Sequence, residues 1–138
     1  MEEKLVVGVF EKIDFPEFGI KGMSAKVDTG AYKGAFHCTK VSVDKSGKKP
    51  VLHFSPFDHP EKVIKTTDFA RRPTTSSNGH TEMRYVINTT VKIKGKIFPI
   101  MISLADRSTM KWQVLIGRRF LRQNNITVDP NLTKRLKV

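Results

Sequence analysis

The sequence predicts an all-β fold, a closed or nearly closed β-barrel with one short helix near its C-terminal end. Apolar and polar residues alternate with a period of two along almost the whole chain, which is the pattern of half-buried strands. The predicted strands are short and are separated at regular intervals by turn residues, as in barrels. No stretch carries an apolar stripe at helical spacing that is long enough for a helix bundle.

Five strands are predicted in the first half of the chain, at residues 4–12, 20–28, 35–43, 51–54 and 62–66. Their Val, Ile and Phe content favours strands, and Gly22 weakens the second of them. The turn cluster at residues 44–48 predicts that the third and fourth strands form a hairpin.

The second half predicts four strands and the helix, at residues 83–94, 96–104, 112–116, 126–129 and, for the helix, 118–123. Gly95 lies between the two strongest strands and marks a tight hairpin. Pro99 has no N–H group, so the strand that contains it is expected at a sheet edge or at a bulge. Gly117 ends the third strand.

The length of 138 residues suits a single domain over residues 1–138, and no internal repeat or linker divides it. The longest apolar run, residues 97–102, is too short to span a bilayer, so no membrane partner is expected. The acidic start at residues 1–4 is unlike a secretory signal, and the single cysteine, Cys38, cannot form an internal disulfide. A cytoplasmic location is therefore expected.

Basic residues outnumber acidic ones by 25 to 13, a formal net charge of +12. A positive field of this size attracts polyanions, including acidic peptides and nucleic acids. The basic residues stand in scattered pairs and are not interleaved with aromatic residues, unlike a base-stacking surface. Solubility, an acidic peptide substrate and nucleic-acid binding all remain open explanations, and nucleic acid is the least favoured.

The segment Asp28-Thr29-Gly30-Ala31 delivers an acid from a strand end directly into a turn. The strand holds the carboxylate rigidly and its end leaves that carboxylate accessible. Gly30 permits close backbone approach, Thr29 can donate and accept hydrogen bonds, and Ala31 leaves room beside the acid. Taken alone, such a triplet is also typical of an ordinary turn.

A second segment, Leu115-Ile116-Gly117-Arg118, precedes the predicted helix. With both segments the chain resembles retroviral-type aspartic peptidases. It is still more similar to a bacterial and archaeal family of retropepsin-like proteins that are also called ATP-dependent zinc proteases. The motifs that carry this resemblance lie at residues 25–31, 35–37, 79–87, 106–110, 115–118 and 128–130. Gly34 and Cys38 depart from it, where serine and alanine are expected.

The resemblance implies a retropepsin-like closed barrel and an aspartic endopeptidase with Asp28, Thr29 and Gly30 as its catalytic residues. Because the chain holds one copy of the catalytic triplet, the second carboxylate must come from another copy, and the implied enzyme is a homodimer. Arg118 is expected to form an ion pair that locks the loop around Asp28 or the dimer edge, with contact to the substrate as the less favoured alternative.

Residues 72–79 contain Pro73, four hydroxyl residues, Asn78 and Gly79, which predicts a loop. In the implied fold, residues 72–82 would form a flap over the substrate, with Ala31, Gly79 and His80 as substrate-binding residues. An ordinary mobile surface loop is an equally good interpretation of the composition.

No metal and no cofactor are predicted, despite the name of the similar family. The candidate ligands are His37, Cys38, His53, His59, His80 and Glu82. None forms a His-Glu-x-x-His pair on a helix, and no Gly-x-x-x-x-Gly-Lys phosphate loop is present. His37 follows the Asp28 segment and is interpreted as a structural histidine, with a role in orienting or tuning the carboxylate as the alternative.

Three function classes follow. The favoured one is a peptidase or amidase acting on acidic, polyglutamate-like peptides, since relatives in the similar family often occur with ATP-grasp ligases that append glutamate. A dimeric adaptor without catalysis and a basic protein that binds nucleic acid or ribosomes remain as alternatives. Changing Asp28 to Asn discriminates between them.

Overall fold

The computed structural model describes residues 4–75 and 79–132. These residues form eleven strands, one α-helix and two one-turn 3-10 helices, at Pro16–Phe18 and Pro130–Leu132. The strands and the helix are β1 (Leu5–Val7), β2 (Phe10–Phe15), β3 (Ile20–Val27), β4 (Gly34–Asp44), β5 (Val51–Pro56), β6 (Ile64–Thr66), β7 (Phe69–Thr75), β8 (Thr81–Ile93), β9 (Lys96–Ala105), β10 (Val114–Ile116), α1 (Arg118–Gln123) and β11 (Ile126–Val128).

Six of the strands pair into a closed ring. Their order is β10-β3-β2-β8-β9-β4, and β4 pairs back with β10. Strands β5 and β6 extend the sheet beyond β4, and β7 pairs with β8. These additions make the barrel uneven, but the prediction of an all-β fold with one short helix is confirmed.

A cluster of phenylalanine rings fills the core beside β4. Neighbouring rings have centroids 5.4 to 5.9 Å apart, and the members are Phe15, Phe18, Phe36, Phe54 and Phe57. Each such pair contributes about 0.5–1.5 kcal/mol beyond the burial of its area. Because Phe36 belongs to β4, the cluster fixes the strand that also carries His37.

The N-terminal strand differs from its prediction, because the run at residues 4–12 is divided after Val7. β1 pairs in parallel with β11, whereas β2 pairs with β3. Gly8 donates its N–H to Glu11 Oε2 at 2.7 Å, which supports the bend between the two strands. The alternation continues through the bend, so the pattern alone does not reveal it.

The loop predicted at residues 72–79 is wrong over residues 72–75, which belong to β7. Pro73 pairs with Met83 in an antiparallel ladder. Within the described residues β7 has β8 as its one neighbour, so Pro73 lies on an edge strand, where a proline is tolerated. Residues 76–78 of the predicted loop lie outside the described residues.

The hairpin between β8 and β9 and the helix α1 agree with their predictions. Lys94 and Gly95 both have positive φ, 49° and 81°, as a two-residue hairpin turn of right-handed twist requires. Pro99 lies in the half of β9 that pairs with β8 alone in the described pairing, since β4 joins β9 only from Ile102 onward. The edge position predicted for Pro99 is confirmed.

Candidate active site

The predicted catalytic acid, Asp28, follows the last residue of β3 and is positioned by its own backbone. Its N–H donates to the carbonyl of Ile116 at 2.9 Å, and its carbonyl accepts the N–H of Ala31 at 3.2 Å. Oδ1 of its carboxylate accepts the N–H of Gly30 at 3.0 Å. Asp28 is half-buried. The carboxylate is therefore held in place and still accessible.

Strand β10 brings the second motif against this loop. It pairs in parallel with β3, with Ile116 opposite Val27, and antiparallel with β4. A Cβ atom added to Gly117 would lie 2.6 Å from the Tyr32 carbonyl oxygen, and one added to Gly34 would lie 2.5 Å from that of Leu115. Both glycines are thus required by the close crossing of the two segments. The departure at Gly34 has a steric reason in this chain.

Arg118 holds the outer side of the Asp28 loop. Its backbone N–H donates to the carbonyl of Ala31 at 2.8 Å, and its Nη1 donates to the carbonyl of Gly30 at 3.1 Å. Its guanidinium lies 5.2 Å from the ring centroid of Tyr32. The expected ion pair of Arg118 is absent from the described part of the chain. Arg118 locks the loop through a backbone carbonyl and an aromatic face instead.

His37 is completely buried on β4, and both of its ring nitrogens have partners. Nδ1 accepts the backbone N–H of Arg107 at 2.8 Å, so this nitrogen carries no proton. Nε2 then carries the proton and donates to Asp58 Oδ1 at 3.2 Å. Asp106 Oδ1 lies 3.8 Å from Nδ1, but two acceptors facing each other do not make an ion pair. These contacts support the interpretation of His37 as a structural histidine.

Asp58 extends this network to the segment before β10. Its Oδ2 accepts the side-chain amide of Gln113 at 3.0 Å. The hydrogen bond from Gln113, and after it the one from His37, hold the pKa of Asp58 below its usual value. The backbone of His37 is also tied on both sides, because its N–H donates to the Gln113 carbonyl and its carbonyl accepts from Phe57.

Arg107, whose backbone N–H binds His37, is also held through its side chain. Its Nε donates to the carbonyl of Trp112 at 2.9 Å, and the Trp112 ring stacks on Phe10 at 4.5 Å. Burial and then the positive charge of Arg84 lower the pKa of Arg107, while the nearby carboxylate of Asp28 opposes both effects. The charges of Arg84 and Asp28 therefore act on the guanidinium of Arg107 in opposite directions.

The three predicted substrate-binding residues lie in two places. Ala31 is half-buried in the Asp28 loop, next to Arg118. Gly79 and His80 immediately precede β8, where both are exposed and Gly79 has a φ of 83°. The hairpin of β7 and β8 carries them, and Thr75 and Thr81 at its outer end share a hydroxyl hydrogen bond of 2.9 Å.

In residues 4–75 and 79–132, no group of three or more His, Cys, Asp or Glu side chains is arranged to hold a metal. The ring nitrogens of His37 are occupied by Arg107 and Asp58. Burial raises the pKa of the Cys38 thiol to about 12, so the thiolate that a metal would need is strongly disfavoured.

Among the described residues, no helix has the length and apolar character that spanning a membrane requires.

Two residues of this site have no distinguishing signal in the sequence. Asp58 lies in a Pro-rich turn, and it reaches His37 because Phe57 adopts a positive φ of 55° and buries its ring. The position of Arg107 depends on His37, a contact between residues seventy positions apart. In the sequence, Arg107 is marked only by its place in the motif at residues 106–110 that contributes to the family resemblance.

Comparisons with known proteins agree with this architecture. Residues 6–136 match the model of a RimB-like family described as retropepsin-like aspartic endopeptidase RimB. A crystal structure of a Legionella pneumophila protein with unknown function superposes with a TM-score of 0.75 at 23% identity, covering 98% of this chain and 100% of that one, which supports the fold.

Curated relatives carry a different name. A protein of Shewanella pealeana is 31% identical over 94% of this chain, and one of Desulfotalea psychrophila is 29% identical over the same share. Both are named probable alpha-L-glutamate ligase, and the match spans only 29% of the length of each. The family match over nearly the whole sequence decides the assignment, and the chain belongs to the RimB-like family of retropepsin-like aspartic endopeptidases.

Proposed function

We propose that this chain is one subunit of a homodimeric aspartic peptidase in which two copies of Asp28 activate a water molecule. The observation that carries the proposal is the rigid but accessible carboxylate of Asp28 in a loop held by Ile116 and Arg118. The sequence holds a single Asp-Thr-Gly triplet. A second identical carboxylate is supplied most simply by a twofold-related copy of the chain.

Two carboxylates that face one water cannot both ionise comfortably, so they share a proton and titrate as a pair. The ionised member removes a proton from the water as that water attacks the peptide carbonyl. The protonated member donates to the oxyanion that develops on the carbonyl oxygen. In each subunit the N–H of Gly30 fixes the direction of the Asp28 carboxylate.

We further propose that the substrate is an acidic peptide rich in glutamate. The net charge of +12 favours a polyanionic substrate. The names of the curated relatives refer to glutamate ligation, and an enzyme that adds glutamate creates a substrate for one that removes it.

The test of catalysis is Asp28→Asn, with Asp44→Asn as the matched control. Asp44 is an exposed residue at the end of β4, where its carboxylate accepts the N–H of Ser46. Its change to Asn removes the same charge as Asp28→Asn does. We expect Asp28→Asn to lower turnover of a glutamate-rich peptide at least ~100-fold, the lower limit for a lost acid-base group. Normal turnover in Asp28→Asn would exclude the aspartic mechanism.

Mixing the wild-type protein with Asp28→Asn tests the dimer. We assume that subunits exchange freely between dimers and that both carboxylates are needed. A ninefold excess of the variant over a fixed amount of wild-type protein then places most wild-type subunits in inactive mixed dimers. Activity then falls about tenfold, because active pairs scale with the square of the wild-type fraction. Activity that stays constant on mixing would show that a single subunit suffices.

A further inference from the structure

A cavity of about 630 Å³ opens between β4, β8 and β9. Its wall includes apolar surface from Cys38 and Leu104 and charged groups from Lys40, Glu82, Arg84 and Asp106. Ligand sites in proteins have volumes of this order and combine apolar walls with a few placed polar groups. Asp106, which lines the cavity, is the chain neighbour of Arg107, and the charge of Asp28 affects the pKa of Arg107, which supports a position of the cavity near Asp28.

One arginine, Arg84, lines this cavity, and a second, Arg107, follows the lining residue Asp106 in the chain. Arg84 is largely covered, with 28% of its side chain exposed. Arg107 is anchored at its backbone by His37 and at Nε by the Trp112 carbonyl. Their positive charges interact unfavourably, as the effect of Arg84 on the pKa of Arg107 shows. An anion placed between them would relieve that repulsion.

A carboxylate of the chain itself already binds the guanidinium of Arg84. Glu82 lies two residues earlier on the same face of β8, and its Oε1 accepts a hydrogen bond from Arg84 Nε. The Glu82 side chain is 55% exposed, so it can leave without disturbing the core. In the described residues, no carboxylate forms an ion pair with Arg107. Of the two guanidinium groups, that of Arg84 thus already binds a glutamate side chain of the chain itself, Glu82.

We propose that Arg84, together with the neighbouring Arg107, forms a subsite near Asp28 that binds a glutamate side chain of the peptide substrate, and that Glu82 occupies this subsite when no substrate is bound. The planar fork of a guanidinium matches a carboxylate in two hydrogen bonds, which gives both affinity and direction. Arg84 and Arg107 are then specificity-determining residues, and His37 is a positioning residue that acts through the Arg107 backbone. This inference rests on the proposed peptidase function.

The test measures binding in the Asp28→Asn background, where peptides are not consumed. The probes are tetra-α-glutamate and its neutral counterpart, tetraglutamine, and the measurement is isothermal titration calorimetry. Adding Arg84→Gln should weaken tetraglutamate binding about 10–100-fold, the effect of a lost charge-assisted contact, and leave tetraglutamine unchanged. Arg84→Lys should recover part of the loss, since it keeps the charge and loses the fork.

The matched control is Arg122→Gln. Arg122 is an exposed residue of α1, and this substitution removes the same charge as Arg84→Gln does. Its effect on tetraglutamate should be less than about twofold. Glu82→Gln should tighten tetraglutamate binding several-fold, since it removes the internal competitor, and a purely structural role for Arg84 predicts no such gain.

Equal losses in Arg84→Gln and Arg122→Gln, or equal affinities of the starting protein for the two peptides, would overturn the inference. These outcomes differ from failure of the proposed function. A protein that binds tetraglutamate through Arg84 and whose wild-type form cleaves no peptide would keep the subsite and refute the peptidase.

Discussion

The Asp28 carboxylate owes its position to backbone atoms of neighbouring segments, and glycine makes those contacts possible. Gly34 and Gly117 let the backbones of β4 and β10 approach at distances that a Cβ atom would forbid. Gly30 is different, because a Cβ there would meet Asp28 Oδ1 at 3.2 Å and would press on the carboxylate itself. The three glycines therefore have separable roles, two in the loop crossing and one beside the reacting group.

We predict that Gly34→Ala destabilises the protein by about 1–3 kcal/mol, the usual cost of inserting an atom into a packed site. The added Cβ would meet the Leu115 carbonyl oxygen, a backbone atom that cannot swing aside. Gly47→Ala is the control, since the nearest atom to its Cβ is 4.0 Å away, and its change should stay within about 0.5 kcal/mol. Urea denaturation measures both, and equal midpoints for the two variants would contradict the crossing.

At the scale of elements, the structure joins three distant segments through one imidazole. His37 on β4 receives the backbone of Arg107 and donates to Asp58, which also accepts from Gln113. Strand β4, the turn after β5 and the connection between β9 and β10 are thereby held together. The backbone of Arg107 belongs to this network through its hydrogen bond to His37.

Acid should weaken this network through Asp58. Its pKa is lower in the folded protein than the ordinary 3.8, so the unfolded chain binds the proton more readily. The stability that Asp58 contributes is complete above its ordinary pKa and is lost as the pH falls through the lowered value. We predict that Asp58→Asn reduces stability near pH 6 and makes the loss of stability below pH 4 less steep. Thermal unfolding between pH 6 and pH 3 measures this, and parallel pH profiles for wild type and variant would argue against it.

Local patterns predicted the elements that local interactions determine. The helix at residues 118–123 and the hairpin at Gly95 need only neighbouring residues to specify them, and both agree with the structure. The strand that contains Pro73 was not predicted, since its composition is typical of a loop. It forms because it pairs with β8, a strand that follows it in the chain. At the site, the Asp28 motif was visible as a contiguous segment. Asp58 was not, because its role exists only once β4 and the turn after β5 are in contact.

At the scale of the whole molecule, 25 basic residues against 13 acidic ones give a formal net charge of +12. The surface field acts over long distances and raises the local concentration of an acidic peptide. The subsite proposed at Arg84 would act at contact distance and would distinguish glutamate from glutamine. Salt separates the two contributions, because exposed charges farther apart than about 10 Å are largely screened at 0.1 M ionic strength.

We predict that KM for a glutamate-rich peptide rises about tenfold between low and high salt, while kcat changes little, because the field assists encounter rather than the chemical step. The neutral glutamine peptide should show no comparable rise. In Arg84→Gln the salt dependence should persist, since nearly all of the +12 charge remains, although affinity is lower at every salt concentration. Steady-state kinetics with both peptides at 0.05 and 0.5 M NaCl would decide the matter. A salt effect of the same size on both peptides would mean that the charge serves solubility or another partner.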